Sequence, residues 1–243
     1  VVNTVNIPEN TSISEIFTAG NKLIVIGQNN YFHIMNEPMI DSEDTIKSYI
    51  MPPRYYEDRT NVLVYNIENI EKPILEKEYL FDGNYLSGRV IDDSLYLISN
   101  KNIGFNYYNK NDTEIPLPYY TDVLNDEKYE YGYDEIKYFP NYIDSRYMYT
   151  IGIDLSEKSL KPDVDVFLGG SDTIYVSQES LYAAVADYSY DYKISQIEAF
   201  RPEYTTSTVI YKFKLDNGKI STAVQGEVPG TIINQFSMDE HNN

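Results

Sequence analysis

Two acidic stretches contain the side chains best suited to metal chemistry. Ca²⁺ prefers oxygen ligands and accepts them from flexible loops. The candidate ligands are Asp122, Asp126, Glu127, Glu130 and Asp134 in the first stretch, and Asp187 and Asp191 in the second. Neither stretch has the alternating acids, the glycine and the terminal Glu of an EF-hand. Each is therefore either a Ca²⁺ site or a solvated acidic loop, and no other cofactor is predicted.

Paired and alternating tyrosines, in or beside long polar stretches, are the candidates for ligand contact. Tyr gives a rigid, amphipathic contact surface at a low entropy cost. The tyrosines to which we assign this role are Tyr55, Tyr56, Tyr107, Tyr108, Tyr119, Tyr120, Tyr188 and Tyr190. The alternative is that their rings pack the polar stretches onto neighbouring elements.

Catalytic motifs are weak in this sequence. His33 and His241 are the only histidines, and no serine is placed beside His33 by any motif. The sequence contains no nucleophile elbow and no phosphate-binding loop. A pair of carboxylates can hydrolyse a glycoside. In a chain with 38 acidic residues, however, close pairs of carboxylates are expected by chance. We therefore expect a non-catalytic protein, with a glycosidase-like enzyme as the alternative.

The charge of the chain excludes further classes of function. The 243 residues carry a formal charge of −19, which disfavours nucleic acid and anionic lipid as partners. There is no Cys, so disulfides and thiolate chemistry are absent. No apolar run is long enough to insert into a membrane. Apolar residues make up 42%, which is typical of a globular protein.

Short runs rich in Val, Ile, Tyr and Thr recur along the chain and predict strands. Examples are Leu23-Ile24-Val25-Ile26, Val62-Leu63-Val64-Tyr65, Leu95-Tyr96-Leu97-Ile98 and Thr173-Ile174-Tyr175-Val176. Helical periodicity is hard to find. The fold class is therefore all-β.

An internal repeat predicts the architecture. A polar turn followed by a Leu-centred strand occurs at 19–26, 92–98 and 178–184, and a third and a fourth strand follow each copy. The fourth strands close on Gly83, Gly169 and Gly226. Four antiparallel strands per unit form the blade of a β-propeller.

The repeat divides the single domain into three full blades at approximately 11–83, 84–169 and 170–226, each with a long insertion. Residues 1–6 are expected to be the last strand of a preceding blade, and 228–243 to hold the first strand of a following one. Three blades cannot close a ring. We therefore expect a piece of a longer protein, with remaining blades or another chain at the open edges.

Several stretches resemble one family. They are the run from Gly218 through Gly226-Glu227-Val228-Pro229-Gly230 to Glu240, the run from Asp82 to Asn100, and the run from Leu168 to Ser177. These stretches are similar to bacterial secreted proteins with a C-terminal β-propeller distantly related to WD repeats. The resemblance implies a propeller fold and export from the cell, and it transfers no catalytic residue.

Together these observations predict a bacterial extracellular or cell-surface module. Its Tyr-rich acidic insertions are expected to contact a polysaccharide, a peptide or a partner protein, because functional residues concentrate in loops on a rigid scaffold. A carbohydrate-active enzyme and a structural part of a larger surface sensor are the two alternatives.

Overall fold

The computed structural model describes residues 3–34, 54–103, 117–139, 144–191 and 203–241. In these residues the chain forms fifteen strands and one short 3-10 helix, Gln235–Ser237. No helix among them is long and apolar enough to cross a membrane. The strands are β1 Thr11–Ala19, β2 Lys22–Ile34, β3 Arg54–Asn66, β4 Ile74–Asp82, β5 Asn84–Ile91, β6 Ser94–Asn102, β7 Tyr119–Asp122, β8 Glu127–Glu130, β9 Lys137–Tyr138, β10 Arg146–Asp154, β11 Pro162–Leu168, β12 Thr173–Val176, β13 Ser180–Asp191, β14 Glu203–Asp216 and β15 Lys219–Pro229.

Three sheets share one plan of four antiparallel strands. The first has the order β1-β2-β3-β4-β7-β8, the second β5-β6-β10-β11-β9, and the third β12-β13-β14-β15. The first four strands of each order follow the chain, and no sheet closes on itself. The predicted fold class, all-β with three four-stranded blades of a partial propeller, is confirmed.

The same hydrogen bond ends the third strand of every sheet. The backbone N–H of Ile67 donates to the carbonyl of Asn21 at 2.8 Å. Leu155 donates to Asp93 at 2.8 Å, and Leu215 donates to Glu179 at 2.9 Å. Each acceptor lies in the polar turn before a Leu-centred strand. The sequence repeat therefore corresponds to a repeated backbone geometry, as expected for units that each form one supersecondary structure.

A glycine with positive φ ends the fourth strand of each sheet. Gly83 (φ 96°) and Gly169 (φ 134°) donate their N–H to the carbonyls of Asp58 and Arg146, both at 2.8 Å. In the third sheet this position belongs to Gly230 (φ 86°), which donates to Thr206 at 2.8 Å. The sequence repeat predicts the end of this fourth strand at Gly226, but β15 continues through Gly226 to Pro229. A strand tolerates an internal glycine, so Gly226 gave a false end signal.

Two cores lie between neighbouring sheets. Successive residues of a strand point to opposite faces, so one strand can supply both cores. In β6, Leu97 enters the core between the first and second sheets, and Ile98 enters the core between the second and third. Both side chains are fully buried. The middle sheet is therefore covered on both faces, and it fixes the positions of its two neighbours.

The two flanking segments differ from the predicted strands. Residues 3–8 form no ladder; Val5 and Ile7 instead pack on the outer face of the first sheet, against Val25, Leu63 and Tyr65. After Pro229 the chain contains the 3-10 helix rather than a strand. A strand needs a hydrogen-bonding partner, and neither segment pairs with another strand in the described part of the chain. The expectation that 1–6 and 228–243 hold strands of neighbouring blades is therefore not met in the described residues of these segments.

All three long insertions leave from the same end of the sheets, which we call the insertion end. They connect β2 to β3, β6 to β10 and β13 to β14. The short turns lie at the opposite end, which we call the turn end. The antiparallel ladders fix this arrangement, because the second strand of each sheet runs from the turn end to the insertion end.

Candidate functional site at the second insertion

The second insertion folds back along the outer edges of two sheets. Its hairpin, β7–β8, pairs with β4 of the first sheet through Tyr79–Asp122, Leu80–Thr121 and Phe81–Tyr120. Further along, β9 pairs in parallel with β11 of the second sheet. The insertion therefore rests on two blades, which is the rigid support that a binding loop needs.

Tyr120 holds the hairpin in place. Its ring is 4% exposed and lies 5.4 Å from the ring of Phe81 and 6.3 Å from the ring of Tyr79. Tyr129 stacks on its other side at 4.7 Å. Burial raises the pKa of Tyr120 to about 12. The packing alternative therefore applies to Tyr120, since a ring this buried cannot also meet a macromolecular ligand.

Tyr119 faces the other side of β7 and is half-buried. The Arg59 guanidinium donates to its hydroxyl at 2.7 Å, and the Lys128 ammonium lies 4.3 Å from the centre of its ring. Its backbone N–H donates to the Tyr149 hydroxyl at 3.2 Å. Two cationic side chains therefore contact Tyr119, and these contacts help to hold the hairpin in place.

Three other tyrosines, which belong to the same Tyr-rich insertion, are exposed. The exposed fractions of Tyr129, Tyr133 and Tyr138 are 36%, 62% and 67%. The Tyr129 hydroxyl donates to Glu127 Oε2 at 2.5 Å, and this bond raises the pKa of Tyr129. All three lie in the same polar stretch as Tyr119 and Tyr120, but the sequence does not reveal that these three are the exposed ones. We call the exposed side chains of residues 126–138 the hairpin surface.

The acids of the first predicted Ca²⁺ site have other partners. Asp122, whose side chain is 5% exposed, accepts hydrogen bonds from Lys77 at 2.7 Å and Asn125 at 2.8 Å. Glu130 pairs with Lys128 at 2.7 Å. Asp126 (φ 54°) forms the turn of the hairpin, and Asp134 is exposed beside Gly132. In the residues that the structure describes, no three acids or histidines form a group that can hold a metal ion.

The other candidate residues lie apart from the hairpin. Tyr55 and Tyr56 belong to β3, and Tyr188, Tyr190 and Asp191 belong to β13, near the insertion end. Their side chains fall outside the described part of the chain, as do Tyr107 and Tyr108 entirely. Asp187 is half-buried and pairs with Ser207 of β14. The second predicted calcium loop therefore begins on a different sheet from the hairpin, and the calcium hypothesis stays a prediction.

A polar network joins the first two sheets at the insertion end. Lys101 pairs with the buried Asp82 at 2.8 Å. The side chain of Asn84 donates to Asp58 Oδ2 at 2.9 Å and accepts a hydrogen bond from Gln28. The Thr60 hydroxyl donates to the carbonyl of Gly83 at 3.0 Å. These residues fix the crossing from β4 to β5, so the base of the insertion is held by hydrogen bonds as well as by packing.

Charge limits what the hairpin surface can bind. Residues 117–139 contain six carboxylates and two lysines. A surface with this excess of negative charge repels anionic polymers and favours neutral or cationic ligands. Within the hairpin, Glu130 pairs with Lys128 and Glu127 accepts a hydrogen bond from Tyr129, whose ring is partly exposed.

Comparison with known proteins agrees with the geometry of the sheets. No curated protein and no solved structure matches the chain. A family model described as a beta propeller domain matches residues 1–243. This match covers the full sequence, including all three long insertions. The chain therefore belongs to the beta propeller domain family.

Proposed function

We propose that the chain is a non-catalytic binding module whose ligand contacts the hairpin surface. One observation supports this most directly: Tyr120 anchors the hairpin on β4 of the first sheet, while Tyr129, Tyr133 and Tyr138 remain exposed. Rings held on a rigid scaffold lose little entropy when they meet a ligand. The ligand is a polysaccharide, a peptide or a partner protein, and it is neutral or cationic because the surface is acidic.

The proposal includes a location and a set of neighbours. The resemblance of the sequence to secreted bacterial propeller proteins supports action outside the cell or at its surface. The outer face of the third sheet and the edge of β15, which pairs only with β14 among the described residues, support further blades or another chain as neighbours. Val224 and Val228 of β15 are 71% and 42% exposed, and unpaired edges recruit strands.

Affinity electrophoresis tests the proposal. The gels contain a neutral glucan, xylan or mannan, or the anionic polygalacturonate, and a lysine-rich peptide is titrated in parallel. We expect retardation by a neutral polymer, or binding of the peptide, and no retardation by polygalacturonate. The double variant Tyr133→Ala/Tyr138→Ala is expected to lose this binding.

The matched control is Phe236→Ala. Phe236 is 86% exposed and lies in the 3-10 helix, away from the hairpin. Its loss removes a similar exposed ring without touching the hairpin surface. If the control and the tyrosine variant bind equally well, the hairpin surface is not the site.

A further inference from the structure

A polar cleft of about 870 Å³ lies at the turn end, between the second and third sheets. One wall is the end of β5 with Arg89 and Asp92, and the other is the turn from β12 to β13. Glu240, from the segment after the 3-10 helix, also lines it. The volume falls within the roughly 300–1,000 Å³ that is usual for ligand sites. Since the insertions leave from the opposite end, this cleft is separate from the hairpin surface.

Arg89 is a positioned donor in the cleft. Its Nη1 donates to the carbonyl of Val176 at 2.7 Å, which anchors the guanidinium across the gap between β5 and β12. Arginine has five N–H donors in a planar fork. In the described part of the chain Arg89 forms no ion pair with a carboxylate. Donors of the fork therefore remain for a ligand.

Glu240 is a positioned acceptor in the same cleft. Its carboxylate accepts hydrogen bonds from the Tyr182 hydroxyl at 2.8 Å, the Lys212 ammonium at 2.9 Å and the Ser180 hydroxyl at 3.2 Å. Its side chain is 11% exposed. These three donors hold the segment after the 3-10 helix against the third sheet, so the wall of the cleft is fixed before any ligand arrives.

The lining chemistry selects the ligand. Arg89 is opposed by three carboxylates, those of Asp92, Glu179 and Glu240, so an anionic ligand is disfavoured. Ser177 and Gln178 add neutral donors and acceptors, and the half-buried ring of Tyr175 adds an amphipathic face. A ligand rich in hydroxyl groups can use both the donors and the acceptors, whereas an apolar ligand leaves them unpaired.

We propose that this cleft binds a neutral oligosaccharide, with Arg89 as the principal donor and Tyr175 as the ring on which a sugar lies. The cleft is a second site, and the proposal does not rest on the hairpin surface. It also predicts that binding is insensitive to salt, because a neutral ligand releases no counterions.

Calorimetric titration of the full chain tests the proposal. The probes are short β-1,4-linked oligosaccharides of glucose, xylose and mannose at millimolar concentration. At least one is expected to bind, and Arg89→Gln is expected to weaken it about tenfold or more, since hydrogen bonds from charged groups are the stronger ones. Tyr175→Leu is expected to weaken the same probe. Because Arg89 is exposed, its replacement should leave the melting temperature unchanged.

Two control variants separate the possible results. Lys72→Gln removes an exposed positive charge in the turn between β3 and β4 and should bind the probe like the wild type. Tyr133→Ala removes a ring of the hairpin surface and distinguishes the two sites, because only a probe held at the hairpin surface depends on that ring. The cleft proposal is overturned if no probe binds the wild type, or if Arg89→Gln binds as the wild type does. Loss of binding in Tyr133→Ala alone would support the hairpin surface and refute the cleft.

Discussion

Adjacent tyrosines have opposite roles in the second insertion. Tyr119 and Tyr120 are neighbours in β7, so their side chains point to opposite faces of the hairpin. Only Tyr120 enters the core, against Tyr79 and Phe81, while Tyr119 contacts Arg59 and Lys128. The identity of a residue therefore does not decide its role here; the face that it occupies does.

The burial of Tyr120 predicts a large effect on stability. Tyr120→Ala removes a ring that is 4% exposed, so the free energy of unfolding should fall by about 3–5 kcal/mol. Tyr133→Ala, at a position 62% exposed, should change it by less than about 0.5 kcal/mol. Urea unfolding monitored by circular dichroism measures both. Equal losses in the two variants would contradict the packing described here.

The pKa of Glu240 predicts a dependence on pH. The neighbouring hydroxyl groups and the Lys212 ammonium lower it from 4.5 to about 2. Because the folded-state pKa is the lower one, the carboxylate stabilises the fold above pH 4.5, and this contribution is lost as the pH falls towards 2. The stability difference between the wild type and Glu240→Gln should shrink over that range. A difference that stays constant in urea unfolding series at several pH values would show that the carboxylate is not held as described.

At the scale of elements, the ladders join segments that are distant in sequence. β7 pairs with β4 across a stretch that contains all of β5 and β6. Local pattern reveals a strand, but it does not reveal a partner so far away. The four-stranded blades were predictable because the same polar turn and Leu-centred strand recur in each blade. The position of the hairpin, and with it the exposure of Tyr129, Tyr133 and Tyr138, was not.

The ion pair between Lys77 and Asp122 should contribute to docking of the hairpin. Lys77→Met leaves the Asp122 carboxylate, 5% exposed, without its cation, and this should cost up to about 3 kcal/mol. Lys128→Met is the control, since the side chains of Lys128 and Glu130 are both about half exposed and such pairs contribute less than about 1 kcal/mol. Chemical denaturation compares the two variants. A loss no larger than that of the control would show that the pair does not secure β7 on β4.

The closing glycines give a second test at this scale. A methyl group on Gly83 (φ 96°) would lie 2.6 Å from the carbonyl oxygen of Asn100. Gly83→Ala should therefore cost at least about 2 kcal/mol, from the left-handed backbone and the close contact together. Gly226→Ala, with nothing within 4 Å, should be neutral or up to about 1 kcal/mol stabilising. Thermal unfolding of both variants checks this. A larger loss of stability in Gly226→Ala than in Gly83→Ala would contradict this prediction and would place the end of the third blade at Gly226.

At the scale of the whole molecule, the blades and their surfaces have separate tasks. The two cores between sheets use the alternating apolar residues that the sequence repeat displays. The flanking segments could not be predicted in the same way, because Val5 and Ile7 read as strand residues but pack as cover for the first sheet. The proposed binding surfaces are separate: the hairpin surface lies along the outer edges of the first two sheets, and the cleft lies at the turn end.

The central claim is that this propeller module binds a ligand without transforming it. The most direct measurement is affinity electrophoresis against neutral and anionic polysaccharides, with polymer breakdown followed in the same samples and the lysine-rich peptide titrated beside them. The account predicts retardation by a neutral polymer, or peptide binding, with no breakdown and with loss of binding in Tyr133→Ala/Tyr138→Ala. Breakdown of a polymer, or the absence of binding to every polymer and to the peptide, would contradict it, and binding that is indifferent to those two tyrosines would place the site outside the hairpin surface.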